Sequence, residues 1–250
     1  MKNNLLESQM EGIILINSNK IDNKSNATIV EDGKTLLIDI PENSRTIIYE
    51  IQNPKDNKIN DINKKIICKK GSSLSRFFIC SGNSSIKSEV NIYLDENSEA
   101  NDAEIFFGSN EQNFELNTNL IHEGKNSKGN VLIKGVLLDK AKCFSNGIIK
   151  VKKEAKKTNT FLAEHILLLS KDAKAQAIPA LEIEADDIQA GHSASVTQID
   201  GDQIFYLTTR GIEENGAKKM IAYGFLQSIL NGADSYIKNK FNQLFEEKWK

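Results

Sequence analysis

The sequence predicts a mainly β protein, a solenoid of short strands followed by a helical segment at the C-terminal end. Residues 12–199 form short apolar runs that are separated by Asn, Asp, Gly and Ser. Between several runs an acidic residue stands one or two positions before an alanine, which is typical of corners between stacked coils. From residue 200 onward the apolar spacing changes to three and four. We therefore divide the chain into a short N-terminal segment, 1–10, a β core, 11–199, and a helical segment, 200–250.

The apolar runs have the length of strands and lack sustained helical periodicity. A β-sandwich would show similar alternation, so this pattern alone leaves the sandwich open beside the solenoid. The predicted strands include residues 12–16, 35–40, 46–51, 76–80, 86–94, 131–138, 166–169 and 196–199. The predicted corner alanines are Ala100, Ala141, Ala155, Ala173 and Ala185.

Three helices are predicted after the β core. Asp200 and Gln203 resemble a capping box at the start of a short helix that ends at Gly211, which tolerates a left-handed backbone. A second helix is predicted over 213–230 and a third, amphipathic one over 233–250. The apolar face of the third helix consists of Ile237, Phe241, Leu244, Phe245 and Trp249.

Composition narrows the class of protein. The net charge is -2 and the sequence pI is about 6.0, which indicates neither a nucleic-acid nor a membrane partner. The N-terminal region lacks the pattern of a signal peptide, and no apolar run reaches the roughly 20 residues of a membrane span. Cys68, Cys80 and Cys143 are odd in number and widely spaced, as expected for buried thiols in a reducing compartment. We expect a cytoplasmic protein.

Few residues suggest chemistry, so we expect a scaffold and not an enzyme. The sequence contains three histidines and lacks the usual motifs of hydrolases, P-loops and dinucleotide sites. His192 stands in a predicted loop among small residues, which leaves its ring accessible. Glu164 and His165 are neighbours in a predicted strand, so their side chains should point to opposite faces. A carbohydrate-active β-helix enzyme that uses Asp186 and Asp187 is a remote alternative.

A specific resemblance is found in residues 167–212, which read LLLSKDAKAQAIPALEIEADDIQAGHSASVTQIDGDQIFYLTTRGI. This stretch resembles the C-terminal core of the SufB/SufD family of iron-sulfur cluster assembly proteins. The order of a Leu-rich strand, a Pro-containing turn, P-x-L-E-I-x-A-D-D, a histidine and Q-x-F-Y-L-x-x-R-G-I carries the resemblance. It implies a right-handed parallel β-helix core, which favours the solenoid over the sandwich.

The resemblance also implies partners and site residues. A SufC-like ABC ATPase would dock on the C-terminal helices, and a SufB-like scaffold would pair with the solenoid. His192 matches the family histidine at the interface where the nascent iron-sulfur cluster forms, and it is a candidate metal ligand there. The implied contacts with SufC are Phe205, Tyr206, Arg210, Gly211, Met220 and Tyr223.

Two departures from the family pattern decide which subunit the chain resembles. The usual Cys-Ser-His of the family is Ala190-Gly191-His192 in this sequence. SufB-like scaffolds also have a cysteine in the strand before the Leu-rich run, and residues 163–165, which stand there in this sequence, include no cysteine. These departures favour a SufD-like subunit that binds no cofactor stably by itself. The alternative is a homodimeric scaffold, a second copy of the chain as its own partner, with Cys143 or carboxylates as cluster ligands. No flavin site can be recognised.

Overall fold

The computed structural model describes residues 11–17, 20–55, 59–231 and 233–249, so the predicted N-terminal segment 1–10 lies outside the described residues. The strands are β1 Glu11–Asn17, β2 Lys20–Lys24, β3 Thr28–Asp32, β4 Thr35–Ile40, β5 Arg45–Gln52, β6 Ile59–Cys68, β7 Ser73–Cys80, β8 Ser85–Leu94, β9 Glu99–Gly108, β10 Asn113–His122, β11 Lys128–Leu137, β12 Lys142–Val151, β13 Asn159–Leu168, β14 Lys174–Ala177, β15 Ala180–Ile183 and β16 Gln189–Gln198. The helices are α1 Gly201–Thr209, α2 Glu214–Gln227, a short 3-10 turn Ser228–Leu230, and α3 Ser235–Lys248.

From β4 to β14, successive strands alternate between two sheets, and the chain forms a β-solenoid of about six coils. Sheet A runs in the order β16-β13-β11-β9-β7-β5-β1-β2, and sheet B in the order β14-β12-β10-β8-β6-β4-β3, with β15 also pairing with β12. The pairs are parallel except at the N-terminal end, where β1 pairs with β2 and β3 with β4 antiparallel. The prediction of a parallel β-solenoid is confirmed. The sandwich is excluded because, from β4 to β14, each strand pairs in parallel with the strand two places along the chain.

The core between the sheets consists of the inward-facing side chains of both. All five predicted corner alanines belong to this core. Four of them lie in the turns or loops between strands, whereas Ala100 lies in β9, one residue after the strand begins. Each of the five alanines is at most 8% exposed.

The C-terminal helices pack along the outer face of sheet A. Ala222, Leu226, Ile237, Phe241 and Phe245 are buried against outward-facing side chains of the solenoid. Polar contacts reinforce this packing at both ends of α3. The Tyr49 hydroxyl group donates to the Asp234 carboxylate, and the Lys248 ammonium group donates to the carbonyl oxygen of Gly82.

The predicted helix limits are close to those observed. Asp200 caps α1 by accepting a hydrogen bond from the Asp202 amide at 2.9 Å, one position earlier than a capping box requires. Gly211 follows α1 with φ +85, and its amide donates to the carbonyl of Thr208, as in a Schellman ending. The predicted second helix divides into α2 and the 3-10 turn. The predicted apolar face of α3 is confirmed.

Candidate functional site

The C-terminal end of the solenoid is open. Strand β16 is the last strand of sheet A, and it pairs with β13 on one side only. Strands β14 and β15 end sheet B in the same way. The amide of Gln189 donates to the carbonyl of Thr158, and that of Ile199 donates to Leu168, both at 2.8 Å. Because amide direction alternates along a strand, the amides of the even-numbered residues of β16 point toward the free edge.

His192 lies at this open end. It is in strand β16 and not in a loop, so the predicted loop is wrong, although the predicted accessibility of its ring is right. In register, His192 pairs with Leu162, whose side chain is part of the core between the sheets. His192 therefore occupies an inward-facing position of the last coil, where no further coil covers it.

The absence of a side chain at Gly191, next to His192, leaves room for the neighbouring residue in β13. It pairs in register with Phe161, and a Cβ atom at position 191 would lie 3.0 Å from the Phe161 ring. Such a contact is tighter than most, so a serine at this place, as in the Cys-Ser-His pattern, would require the ring to shift. The departure at Gly191 is therefore explained by the large, half-exposed Phe161 side chain.

Three side chains with groups that could bind a metal or form hydrogen bonds point into the solenoid, one coil below the open end. Ser145 Oγ donates to Glu164 Oε1 at 2.9 Å, and Cys143 is close enough for the Glu164 carboxylate to disfavour its thiolate. Alanines cover these residues, since Cys143 pairs with Ala175 and Glu164 with Ala194. Within the described residues, Glu164 Oε2 has no hydrogen-bond partner. Burial raises the pKa of Glu164, which favours its protonated form.

Glu164 and His165 point to opposite faces of sheet A, as predicted. Glu164 is fully buried inside the solenoid, whereas His165 Nδ1 lies 2.7 Å from Ser195 Oγ on the outer face. Burial, and then the nearby Lys134 ammonium group, lower the pKa of His165. The two residues therefore cannot bind one metal ion together, which leaves Cys143 and Glu164 as the thiol and carboxylate that share a compartment.

All three cysteines are buried and unpaired, in agreement with the sequence. Burial raises the pKa of Cys68 to about 12, and it also raises the pKa values of Cys80 and Cys143. At neutral pH these side chains are thiols, and a thiol must lose its proton before it binds a metal. Across the described ranges, no group of three or more His, Cys, Asp or Glu side chains is placed to hold a metal ion.

The middle of the solenoid contains an ion network that the sequence did not predict. The interior ionic cluster consists of Glu50, Lys64, Arg76, Asp102 and Glu104, all at most 5% exposed. Lys64 donates to Glu50 Oε1, and Arg76 donates to Glu50 from Nε and Nη2 at 3.2 and 3.0 Å. The Nη1 atom of Arg76 contacts both Asp102 and Glu104. The signal in the sequence was a set of charged residues that stand among apolar ones at the inward-facing positions of β5, β6, β7 and β9.

The predicted docking residues lie in α1, in the turn that follows it and in α2. Helix α1 has no buried residue among those described and packs on α2. Phe205, Tyr206 and Met220 are 69%, 57% and 53% exposed, so Phe205 and Tyr206 are not packed against the end of the solenoid. The Arg210 guanidinium group lies over the Tyr206 ring, 5.2 Å from its centroid.

Two depressions border these residues. One of about 510 Å³ is lined by Tyr206, Leu207 and Ile221 together with the start of α1. The other, of about 300 Å³, lies between α2 and α3 and includes Met220, Tyr223 and Phe245. Tyr223 also donates a hydrogen bond to Asn242 Oδ1 at 2.8 Å, which holds its ring at the wall of this groove. Gly211, by contrast, serves the helix ending.

A membrane-crossing helix would need a long apolar stretch. Among the described helices, none has the length and apolar character that crossing a bilayer requires.

Comparison with known proteins places the chain in a family. The sequence model described as "SUF system FeS cluster assembly, SufBD core domain" matches residues 12–225. The iron-sulfur cluster assembly protein SufD of Bacillus subtilis is 40% identical over 127 residues, which are 51% of this chain and 29% of that protein. SufD of Escherichia coli is 41% identical over 98 residues, 39% of this chain and 23% of the relative.

A third relative aligns over more of the chain. The iron-sulfur cluster assembly SufBD family protein of Synechocystis is 26% identical over 182 residues, 72% of this chain and 38% of that protein. In each comparison the aligned part spans less than two fifths of the relative. The match over residues 12–225 covers the solenoid and most of the first two helices. This chain therefore belongs to the SufB/SufD family of iron-sulfur cluster assembly proteins.

Proposed function

We propose that this chain is the SufD-like scaffold subunit of a SufBCD-type complex. It pairs with a SufB-like solenoid through its open end and carries a SufC-like ATPase on its C-terminal helices. Catalysis belongs to the ATPase, and the nascent iron-sulfur cluster is the cargo of the scaffold. The observation that carries the proposal is the unpaired edge of β16, which bears the exposed, inward-facing His192.

The open end is better suited to contact with a second solenoid than to exposure to solvent. An unpaired strand of ten residues presents free amide and carbonyl groups, and such edges pair with other strands unless they are protected. The apolar Ile183 and Val196 are 44% and 40% exposed beside this edge. A strand from a partner would satisfy the backbone groups and cover these side chains. His192 would then lie at the centre of the interface.

The helical segment fits a second kind of contact. The exposed aromatic rings of Phe205 and Tyr206 and the planar guanidinium group of Arg210 are of the types that dominate binding energy at protein interfaces. The segment is fastened to sheet A by α2 and α3, so a force applied at α1 would reach the solenoid through these two helices. ATP-driven dimerisation of two SufC-like subunits would in this way rearrange the scaffold interface and expose the site at His192.

The homodimeric scaffold is a second candidate because Cys143 and Glu164 share the compartment below the open end. The raised pKa of both groups argues against metal binding by the chain alone. Co-expression with SufB-like and SufC-like proteins from the same source, followed by native mass spectrometry, separates the candidates. One SufB-like chain, one copy of this chain and two ATPases would support the SufD role. Two copies without a SufB-like chain would support the homodimer.

A further inference from the structure

The interior ionic cluster lies away from the open end and has no part in the proposed function. Its centre is Arg76, which is fully buried in β7. Asp102 and Glu104 lie two positions apart in β9, so both side chains point inward toward Arg76. Their contacts with Arg76 Nη1 are 2.9 Å from each Asp102 oxygen and 2.7 Å from Glu104 Oε1. The two carboxyl groups are therefore held together around one nitrogen atom.

Arg76 Nη1 has too few hydrogen atoms to donate one to each carboxyl oxygen around it. Arg76 Nη1 has two hydrogens, whereas three carboxyl oxygens surround it. The Nε atom and one hydrogen of Nη2 are directed to Glu50 Oε2. Glu104 Oε1 also accepts from Thr118 Oγ1 at 3.1 Å, so Glu104 has a second donor that it does not share with Asp102. Of the two carboxyl groups at Nη1, Asp102 is thus the one less well supplied with hydrogen-bond donors.

The charges are also unbalanced. Three carboxyl groups, Glu50, Asp102 and Glu104, face two cations, Lys64 and Arg76. If all were ionised, the cluster would have one excess negative charge in an interior without solvent, which is costly.

No other group on the neighbouring strands corrects this imbalance. Glu164 from β13 interacts with Glu104 as a further acid, and Cys80 from β7 is a neutral thiol. Strand β11 contributes only Val131 and Ile133 beside Asp102 and Glu104.

We propose that the Asp102 carboxyl group binds a proton at neutral pH, and that release of this proton in mild alkali loosens the middle coils of the solenoid. The bound proton supplies the missing hydrogen between Asp102 and Glu104 and brings the cluster to electrical balance. After its release, two carboxylates would repel each other across one guanidinium nitrogen. The solenoid would thereby respond to pH at a place remote from both partner surfaces.

The direction of the pH effect follows from linkage. Burial, opposed by Arg76 and reinforced by Glu104, raises the pKa of Asp102 from 3.8 to about 8. Between these two values the folded chain holds a proton that the unfolded chain has lost, so stability falls as pH rises. The contribution is complete below pH 3.8 and is gone above about pH 8. This direction is opposite to that of the ordinary paired carboxylate.

Infrared spectroscopy of the folded chain detects the proton directly. A protonated carboxyl group has a C=O band that a carboxylate lacks, and we expect one such band to disappear between about pH 6 and about pH 9. Asp102→Asn should remove this band. Glu164→Gln is the matched control, because Glu164 is the other buried carboxyl group with a raised pKa, and its variant should retain the Asp102 band.

Urea unfolding of the same variants gives an independent measure. Between about pH 6 and about pH 9, the urea concentration at the unfolding midpoint should fall more steeply for the wild-type chain than for Asp102→Asn. The difference in slope should correspond to the release of about one proton. Asp61→Asn, at an exposed position of β6, should retain the wild-type slope. If Asp102→Asn does not fold, the infrared titration of Glu164→Gln decides alone. Absence of the band in that variant near pH 6, or its persistence in a variant that carries both Glu164→Gln and Asp102→Asn, would overturn the proposal.

Discussion

His192 and Leu162 pair in register on neighbouring strands and face the same side of sheet A, yet Leu162 is 1% exposed and His192 is exposed. The difference arises because β13 is covered by another coil and β16 is not. A histidine at a position that elsewhere carries core side chains is what the proposed pairing of the last coil with a partner requires. The following predictions concern this end, the docking helices and the solenoid itself.

His192→Ala should lower iron-sulfur cluster formation on the reconstituted complex by about ten-fold or more, as expected when a metal ligand is removed. The readout is the visible absorption of the cluster after anaerobic reconstitution. His165→Ala is the matched control, because His165 lies on β13 and faces outward. Equal loss in both variants, or no loss in His192→Ala, would contradict the role of His192.

Phe205→Ala and Tyr206→Ala should each weaken binding of the SufC-like ATPase by about ten-fold, because exposed aromatic side chains anchor interfaces. Their effect on stability should be within about 0.5 kcal/mol, since neither side chain is buried. Isothermal titration calorimetry measures the affinity. Phe144→Ala, a half-exposed aromatic position on sheet B, should bind as the wild type does. Equal affinity of all three variants would place the docking surface elsewhere.

Gly135→Ala should destabilise the fold by about 1–3 kcal/mol through overpacking. A Cβ atom at this position would lie 1.9 Å from the Phe106 ring, which itself packs on Phe114 inside the solenoid. Gly224→Ala is the control, because a Cβ there meets nothing within 4 Å and alanine favours a helix by about 1 kcal/mol. Chemical denaturation should show changes in the free energy of unfolding that have opposite signs for the two variants. Changes of the same sign would contradict the close packing of Phe106 against position 135.

Acid should destabilise the chain through His122. This side chain is fully buried, and burial lowers its pKa from 6.5 to about 4. Between these values the unfolded chain binds a proton that the folded chain does not. Stability therefore rises with pH across this window, by up to about 3 kcal/mol. His122→Asn, whose amide group can still donate a hydrogen bond to Ser127, should flatten this rise in urea midpoints. An unchanged slope in His122→Asn would contradict the assignment.

The outline of the fold was predictable because corner alanines, strand lengths and helix caps are local features. Ala141 and Ala155 marked corners, and Asp200 and Gly211 marked the ends of α1. The interior ionic cluster was not predicted, since Arg76 and Glu50 read as polar breaks in short apolar runs. Only the register of parallel strands brings Arg76 beside Asp102, 26 residues away. Likewise, the strand position of His192 depends on its pairing with Leu162, which sequence periodicity does not show.

The central claim is that the free edge of β16 pairs with a SufB-like solenoid, and a backbone variant tests it most directly. The amide of Ala194 points to the free edge, so Ala194→Pro removes one edge donor and leaves the bonds to β13 in place. Ala194→Val, which keeps the amide and adds volume, is the matched control, and circular dichroism verifies the fold of both.

The measurement is the dissociation constant for the SufB-like partner by biolayer interferometry. We predict that Ala194→Pro weakens binding by about ten-fold or more, the scale of a lost backbone hydrogen bond with disrupted pairing, while Ala194→Val changes it less. Wild-type affinity in a folded Ala194→Pro variant would show that the two solenoids do not join through this strand.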